Sequence, residues 1–141
     1  MKAVTYSEYA PDDNYAKILK VQDIDDPKPK ADEVVFEVKS AALNYNDIWG
    51  MRGQPVPVPL PHVSGSDAAG DVIAIGEDVK NIKIGDRVVS HSNMSCRVCK
   101  ACTDGREFDC TKRTIWGFQT GPNWGAFQEV THLPEVNVSK I

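Results

Sequence analysis

The sequence predicts a mainly β barrel carrying one short helix and a loop lobe, and three observations lead to it. Short β-prone runs recur along the 141-residue chain with turn signals between them. Helix-like patterning is confined to one short stretch after Ala42. All four cysteines fall between Cys96 and Cys110, in a segment with few apolar residues to hold it by packing.

Taken in order, Met1–Tyr6 is short and β-prone, and Ala16–Gln22 alternates apolar and polar residues. Asp25-Asp26-Pro27-Lys28-Pro29-Lys30 is a loop, because proline cannot donate to a strand ladder. Glu33–Ser40 is the clearest strand, with Val34, Phe36 and Val38 on one face. A short helix follows, capped by Asn44 or Asn46 and ended by Gly50 and Gly53. Prolines 55, 57, 59 and 61 hold the next stretch extended. Ala68–Ile75 and Arg87–Ser90 read as strands separated by a turn at Asn81–Asp86, and Ala126–Leu133 as a last strong strand with Val136–Val138 after it. No internal repeat interrupts this series.

Composition narrows the function classes. Hydrophobic residues make up 41% and charged residues 26%, the mix of a soluble globular domain, and a chain this long buries a core without disulfide staples. The net charge is −4 with no basic stripe, so nucleic acid is not an expected partner. No apolar run reaches membrane-spanning length, and MKAVTYSEYA lacks the charged-then-apolar pattern of a secretory leader. The expected compartment is the cytoplasm. In that reducing setting a cysteine cluster reads as a metal site rather than a disulfide framework.

The cysteine spacing is C-x2-C-x2-C-x7-C. Four thiolates close the tetrahedral shell of zinc, leaving no position for water, so the expected ion is structural. Cys96, Cys99, Cys102 and Cys110 are its ligands, and the loop Thr103–Asp109 turns at Gly105. Arg97, Lys100 and Arg106 are expected to offset the thiolate charge. Free thiols are the bland alternative. An iron–sulfur cluster is another, but the fourth cysteine lies too far along and lacks a following proline. His91, nearby, reads as an ordinary strand-end residue.

Pro61-His62-Val63-Ser64-Gly65-Ser66-Asp67-Ala68-Ala69-Gly70-Asp71-Val72, with Val79 and Gly85-Asp86-Arg87-Val88 after it, resembles the N-terminal domain of medium-chain dehydrogenases/reductases. The cysteine lobe, residues 91–112, is similar to that family's structural zinc lobe in spacing and position. The resemblance covers the whole chain. It implies a GroES-like, partly open β-barrel that supplies the substrate pocket for a small molecule, while a C-terminal Rossmann domain supplies NAD(P)H. No G-x-G-x-x-G occurs in this chain, so that domain is expected to be missing from it and the chain alone to be inactive. The end at Ser139-Lys140-Ile141, directly after a strand, reads as a boundary within a longer protein. An uncovered interdomain face would favour homo-oligomers.

Two departures from the zinc alcohol dehydrogenases of this family bear on the reaction. The position matching the first catalytic-zinc cysteine is Asn44, and the position matching the histidine ligand is Ser66. An amide and a hydroxyl are poor zinc ligands, so no catalytic zinc is expected. Zinc-free members typically reduce activated C=C bonds in quinones, enones and enoyl thioesters, where hydrogen-bond donors steady the enolate. Ala42–Trp49 and Ile115–Thr120, with Asn123–Phe127, look like the matching stretches of crotonyl-CoA carboxylase/reductases and related enoyl-thioester reductases. The resemblance implies site roles for Asn44, Tyr45, Phe118 and Gln119. Gln119 stands where the carboxylating enzymes carry glutamate, so simple reduction is favoured over carboxylation.

Each of these has a plainer reading. Asn44 is a natural helix cap, Tyr45 a packing aromatic, and Asp47 a loop-ordering carboxylate. Ser66 and Asp67 read as a satisfied polar turn, Trp49, Trp116 and Trp124 as core, and His62 and His132 as structural. Two other functions compete: a zinc-dependent alcohol dehydrogenase domain, and a stand-alone GroES-like binding or assembly module.

Overall fold

The alternating run at Glu33 becomes the centre of the sheet. In the computed structural model, which describes residues 1–122 and 124–141, the strands are β1 (Lys2–Thr5), β2 (Lys20–Asp23), β3 (Glu33–Ala42), β4 (Asp67–Ile75), β5 (Arg87–Ser90), β6 (Asn93–Met94), β7 (Thr114–Ile115), β8 (Val130–Pro134) and β9 (Val138–Lys140). A five-stranded antiparallel sheet runs β8-β3-β4-β5-β9, with β1-β2 and β6-β7 as separate ribbons. Between β3 and β4 the register shifts twice, after Val35 and after Val38. Each shift inserts an unpaired residue that bends the strand, and together they curl the sheet into a half-barrel. Gly70 permits one close approach: a Cβ there would lie 1.9 Å from the Glu37 carbonyl oxygen.

Val34, Phe36, Val72, Val88 and Leu133 converge from four strands on the fully buried Trp116 to make the main core. Val35 is buried as well, which simple alternation does not anticipate. Its face of β3 also carries Glu33, and the β8 residue opposite Val35 is His132. Glu33 Oε2 lies 3.0 Å from His132 Nδ1, and Trp124 Nε1 donates to the same nitrogen at 3.0 Å. This contact and Val35 bury the second face at the start of β3, while Glu37, Lys39 and Ala41 farther along it are exposed. A smaller core of Tyr6, Ala10, Ile18, Met51, Val58 and Phe118 lies under the helix region.

The helices are α1 (Tyr15–Ile18), α2 (Tyr45–Arg52) and α3 (Lys100–Thr103). Asn44 caps α2: its Oδ1 accepts from the Asn46 N–H at 3.2 Å, while Asp47 Oδ2 accepts from the Asn44 N–H at 2.8 Å. This reciprocal pairing stabilises the first turn. Gly53 ends the helix in the left-handed region at φ +69°. Gly50 does not end it; it is buried inside α2, where a Cβ would come within 2.7 Å of the Tyr6 hydroxyl.

Three other expectations need correction. Part of the Ala16–Gln22 run is a single helical turn, α1, before β2 begins. The last long strand starts at Val130 rather than Ala126, because the Ala126 and Phe127 N–H groups donate instead to the carbonyls of Gly65 and Ser64. Glu135–Asn137 is a 3-10 turn that leads into β9.

Candidate functional site

The cysteine lobe stands on the β6-β7 ribbon. Asn137 Nδ2 donates to the carbonyls of His91 and Asn93 at 2.8 and 2.9 Å, tying the lobe's entry to the sheet. Within it, α3 carries Cys102, and a 3-10 turn at Glu107–Asp109 delivers Cys110. Gly105 turns between them at φ +77°. The four sulfurs all lie within 4.8 Å of one another, with Cys99 Sγ 3.5 Å and Cys96 Sγ 3.9 Å from Cys102 Sγ. A zinc–thiolate bond of about 2.3 Å in a tetrahedron sets sulfur–sulfur edges of roughly 3.8 Å, so the donor set fits a zinc ion. His91 is exposed and is not one of the clustered ligands.

Arg97 pairs with Glu107, Lys100 with Asp104, and Arg106 with Asp104 and Asp109. The basic side chains are committed to the lobe's own carboxylates. Backbone amides act on the sulfur instead: the N–H groups of Val98 and Cys99 pull the Cys96 thiol down to about 6, toward the thiolate a metal needs.

The second feature is a cavity of about 550 Å³ beside α2. Val4, Leu19, Ile48, Met51 and Phe127 form apolar walls, with Leu43 among the lining residues. Asn44, Tyr45, Asp47, Tyr6 and Ser64 supply the polar groups. Tyr6 Oη lies 3.4 Å from Ser64 Oγ, and burial pushes the Tyr6 phenol up to about 12, so it stays neutral. Asp47 is 3% exposed, and its carboxylate accepts from the N–H groups of Asn44 and Gly65. Burial raises its pKa, against the pull of those two bonds. One carboxylate thus joins the start of α2 to the loop before β4.

Of the sequence-predicted site residues, Asn44 and Tyr45 meet at this cavity. Asn44 Nδ2 donates to Asp67 Oδ2 at 3.3 Å, and the amide carries a second N–H. Tyr45 is exposed and packs edge-on against Trp49, which is tilted against Phe118 with centroids 6.5 Å apart. The Arg52 guanidinium is held by the Asp13 carboxylate and the Tyr15 hydroxyl.

Phe118 and Gln119 do not line the cavity. Phe118 is 6% exposed in the smaller core, and Gln119 Oε1 accepts from the Ile115 N–H at 3.0 Å, closing a local turn. Phe118 packs in one cluster with Met51 and Ile48 of α2 and lies against the Trp49 ring. Trp116 is core, as the plainer reading has it, whereas Trp49 is partly exposed. Ser66 is not a satisfied turn residue: its Oγ is buried with no hydrogen-bond partner among the described residues. Asn123, part of one resembling stretch, lies outside the described residues.

The cavity walls went unread in the sequence. Ile48 and Met51 follow Tyr45 at three-residue spacing, a helical signal that could have found them. Tyr6, Ser64 and Phe127 arrive from distant segments and leave no local trace.

A family model described as the alcohol dehydrogenase GroES-like domain matches residues 30–141. A crotonyl-CoA carboxylase/reductase of Cereibacter sphaeroides is 34% identical over 128 residues, covering 86% of this chain and 29% of that protein. An acryloyl-coenzyme A reductase of Metallosphaera sedula is 30% identical over 122 residues, covering 86% of this chain and 36% of that protein. Among solved structures, an NAD-dependent alcohol dehydrogenase superposes with a TM-score of 0.89 at 35% identity, covering 99% of this chain and 39% of that one. A cobalt- and zinc-bound thermostable alcohol dehydrogenase from Pyrobaculum aerophilum gives 0.87 at 29% identity, covering 99% and 41%. The chain thus spans about a third of the length of these curated relatives.

Proposed function

The chain belongs to the alcohol dehydrogenase GroES-like domain family, and on that footing we propose that residues 1–141 are the substrate-side domain of an NAD(P)H-dependent reductase of activated C=C bonds. The substrate class is an enoyl thioester, enone or quinone. The nicotinamide supplies hydride from a nucleotide-binding domain, and no residue of this chain is assigned to hold it. Two relatives named as enoyl-thioester enzymes support the reading.

One observation carries the choice of reaction. At the two positions where zinc alcohol dehydrogenases resemble this chain but place metal ligands, the side chains are Asn44 and Ser66. The Asn44 oxygen is engaged by Asn46 and its nitrogen by Asp67. A neutral amide committed to a cap and a buried hydroxyl do not fit a zinc ion. They suit chemistry in which the conjugated substrate is its own electron sink. As charge grows on the substrate carbonyl oxygen, the second Asn44 N–H and the Tyr45 O–H donate to it. Phe118 backs that wall through Trp49, and Gln119 holds the turn that positions Phe118. Cys96, Cys99, Cys102 and Cys110 hold a zinc ion that orders the lobe and takes no part in chemistry.

The test is turnover by the polypeptide that joins this domain to its nucleotide-binding partner domain. NAD(P)H-dependent reduction of an enoyl thioester or enone, with no oxidation of simple alcohols, is the expected result. Alcohol oxidation that requires a second zinc ion per chain would overturn it.

A further inference from the structure

The cavity beside α2 changes character along the helix. Asn44 and Tyr45 line it at the N-terminal end, then Ile48, then Met51. A helix advances 1.5 Å per residue, so this wall runs on the order of 10 Å from the amide to the thioether. Val4, Leu19 and Phe127 make further apolar wall. The one hydroxyl pair, Tyr6 with Ser64, is neutral and mutually bonded.

Charge is one-sided. The lining includes no lysine, arginine or histidine, and its single carboxylate is Asp47. An anionic group at the Met51 end of a bound chain would be desolvated among apolar side chains, with no cation in the lining to offset the cost. A hydrocarbon chain meets no such cost, and each buried methylene adds about 0.8 kcal/mol.

We propose that this cavity is a tail pocket for an uncharged hydrocarbon chain of medium length, extending from a conjugated carbonyl held at the Asn44–Tyr45 end. This rests on the reductase reading above. The volume of about 550 Å³ corresponds to roughly eighteen water volumes at about 30 Å³ each. With incomplete filling, it holds a chain on the order of eight to ten carbons. The substrate class is thus a medium-chain enoyl thioester or enone, and acyl groups ending in a carboxylate are rejected.

Calorimetric titration of this chain with methyl alkenyl ketones of increasing length, and with saturated ketones of equal length, separates the two readings. Affinity should rise about threefold to fourfold per methylene and level off near the length that fills the pocket. A terminal carboxylate should abolish the gain. Leu19 is 39% exposed at the cavity wall, so Leu19→Trp is compatible with folding. It should bring the plateau to shorter chains. Affinity independent of length, tolerance of the carboxylate, or an unmoved plateau in Leu19→Trp would overturn the tail pocket. Preference for the unsaturated ketone over the saturated one, lost in Asn44→Ala, belongs to the reductase reading. If that preference is absent while the length dependence persists, the tail pocket stands and the choice of reaction falls.

Discussion

The Asp47 carboxylate accepts a hydrogen bond from the Gly65 backbone N–H at 3.0 Å. Its other oxygen takes the Asn44 N–H, so a single side chain fixes the spacing between the helix start and the loop that carries Ser66 and Asp67. Removing it leaves two buried donors without their acceptor. Asp47→Ala should cost about 2–4 kcal/mol, read by urea unfolding. Asp47→Asn, which retains one acceptor oxygen, should cost less. Equal stability of all three proteins would refute the bridging role.

The Gly117 position tests the packing behind the same loop. A Cβ there would lie 1.8 Å from the Gly65 carbonyl oxygen, and its φ of +73° disfavours any L side chain. Gly117→Ala should destabilise by about 3 kcal/mol or more. Gly105 is the control: its φ is +77°, but a Cβ would meet nothing within 4 Å. Gly105→Ala should cost only about 1 kcal/mol, from backbone strain alone. Thermal unfolding of the pair separates collision from strain.

Acid sensitivity follows from His62, which is fully buried, with Nε2 3.1 Å from the Gly117 carbonyl oxygen. Burial holds its imidazole below the ordinary 6.5, against the raising effect of that carbonyl. The unfolded chain therefore binds this proton first as pH falls beneath 6.5, and stability drops through that window at no more than about 1.4 kcal/mol per pH unit. Glu33 adds loss further down. Burial would raise its carboxyl, but the side-chain and backbone hydrogen bonds from Lys30 hold it below 4.5. Asp47, with its raised pKa, works in the opposite sense. Melting temperatures between about pH 5 and 8 should decline toward acid, and His62→Gln should flatten the upper part of that decline. An unchanged slope in the variant would exclude His62 as the source.

Loss of one cysteine should act locally. Cys99→Ser or Cys110→Ser should open residues 91–112 to rapid amide exchange while β3, β4 and β8 stay protected, because the lobe shares little apolar core with the sheet. Chelation of the wild-type protein should do the same. Unchanged exchange in the lobe after chelation would contradict metal-dependent folding.

What could be read from the sequence was local. The cysteine spacing placed all four sulfurs in one cluster, since two-residue gaps curl the chain back on itself. The Asn44 cap and the strand at Glu33 follow from patterns within a few residues. The rest depended on distant partners. The Glu33–His132 contact spans 99 residues and buries the start of a β3 face that alternation alone would leave exposed. The lobe's basic residues pair with its own carboxylates, and among the described residues Ser66 Oγ has no hydrogen-bond partner. Phe118 and Gln119 matched a motif, but their side chains are used in packing and a turn rather than in the cavity. Asn44 and Tyr45 could be named from sequence; the walls opposite them could not.

Metal content measured on the purified chain bears most directly on the whole reading. A closed four-sulfur site, together with an amide and a hydroxyl at Asn44 and Ser66, should give one zinc per chain. A Cys102→Ser variant should lose it, and Asn44→Ala should keep it. No zinc in the wild-type protein, or a second equivalent that disappears in Asn44→Ala, would contradict the reading.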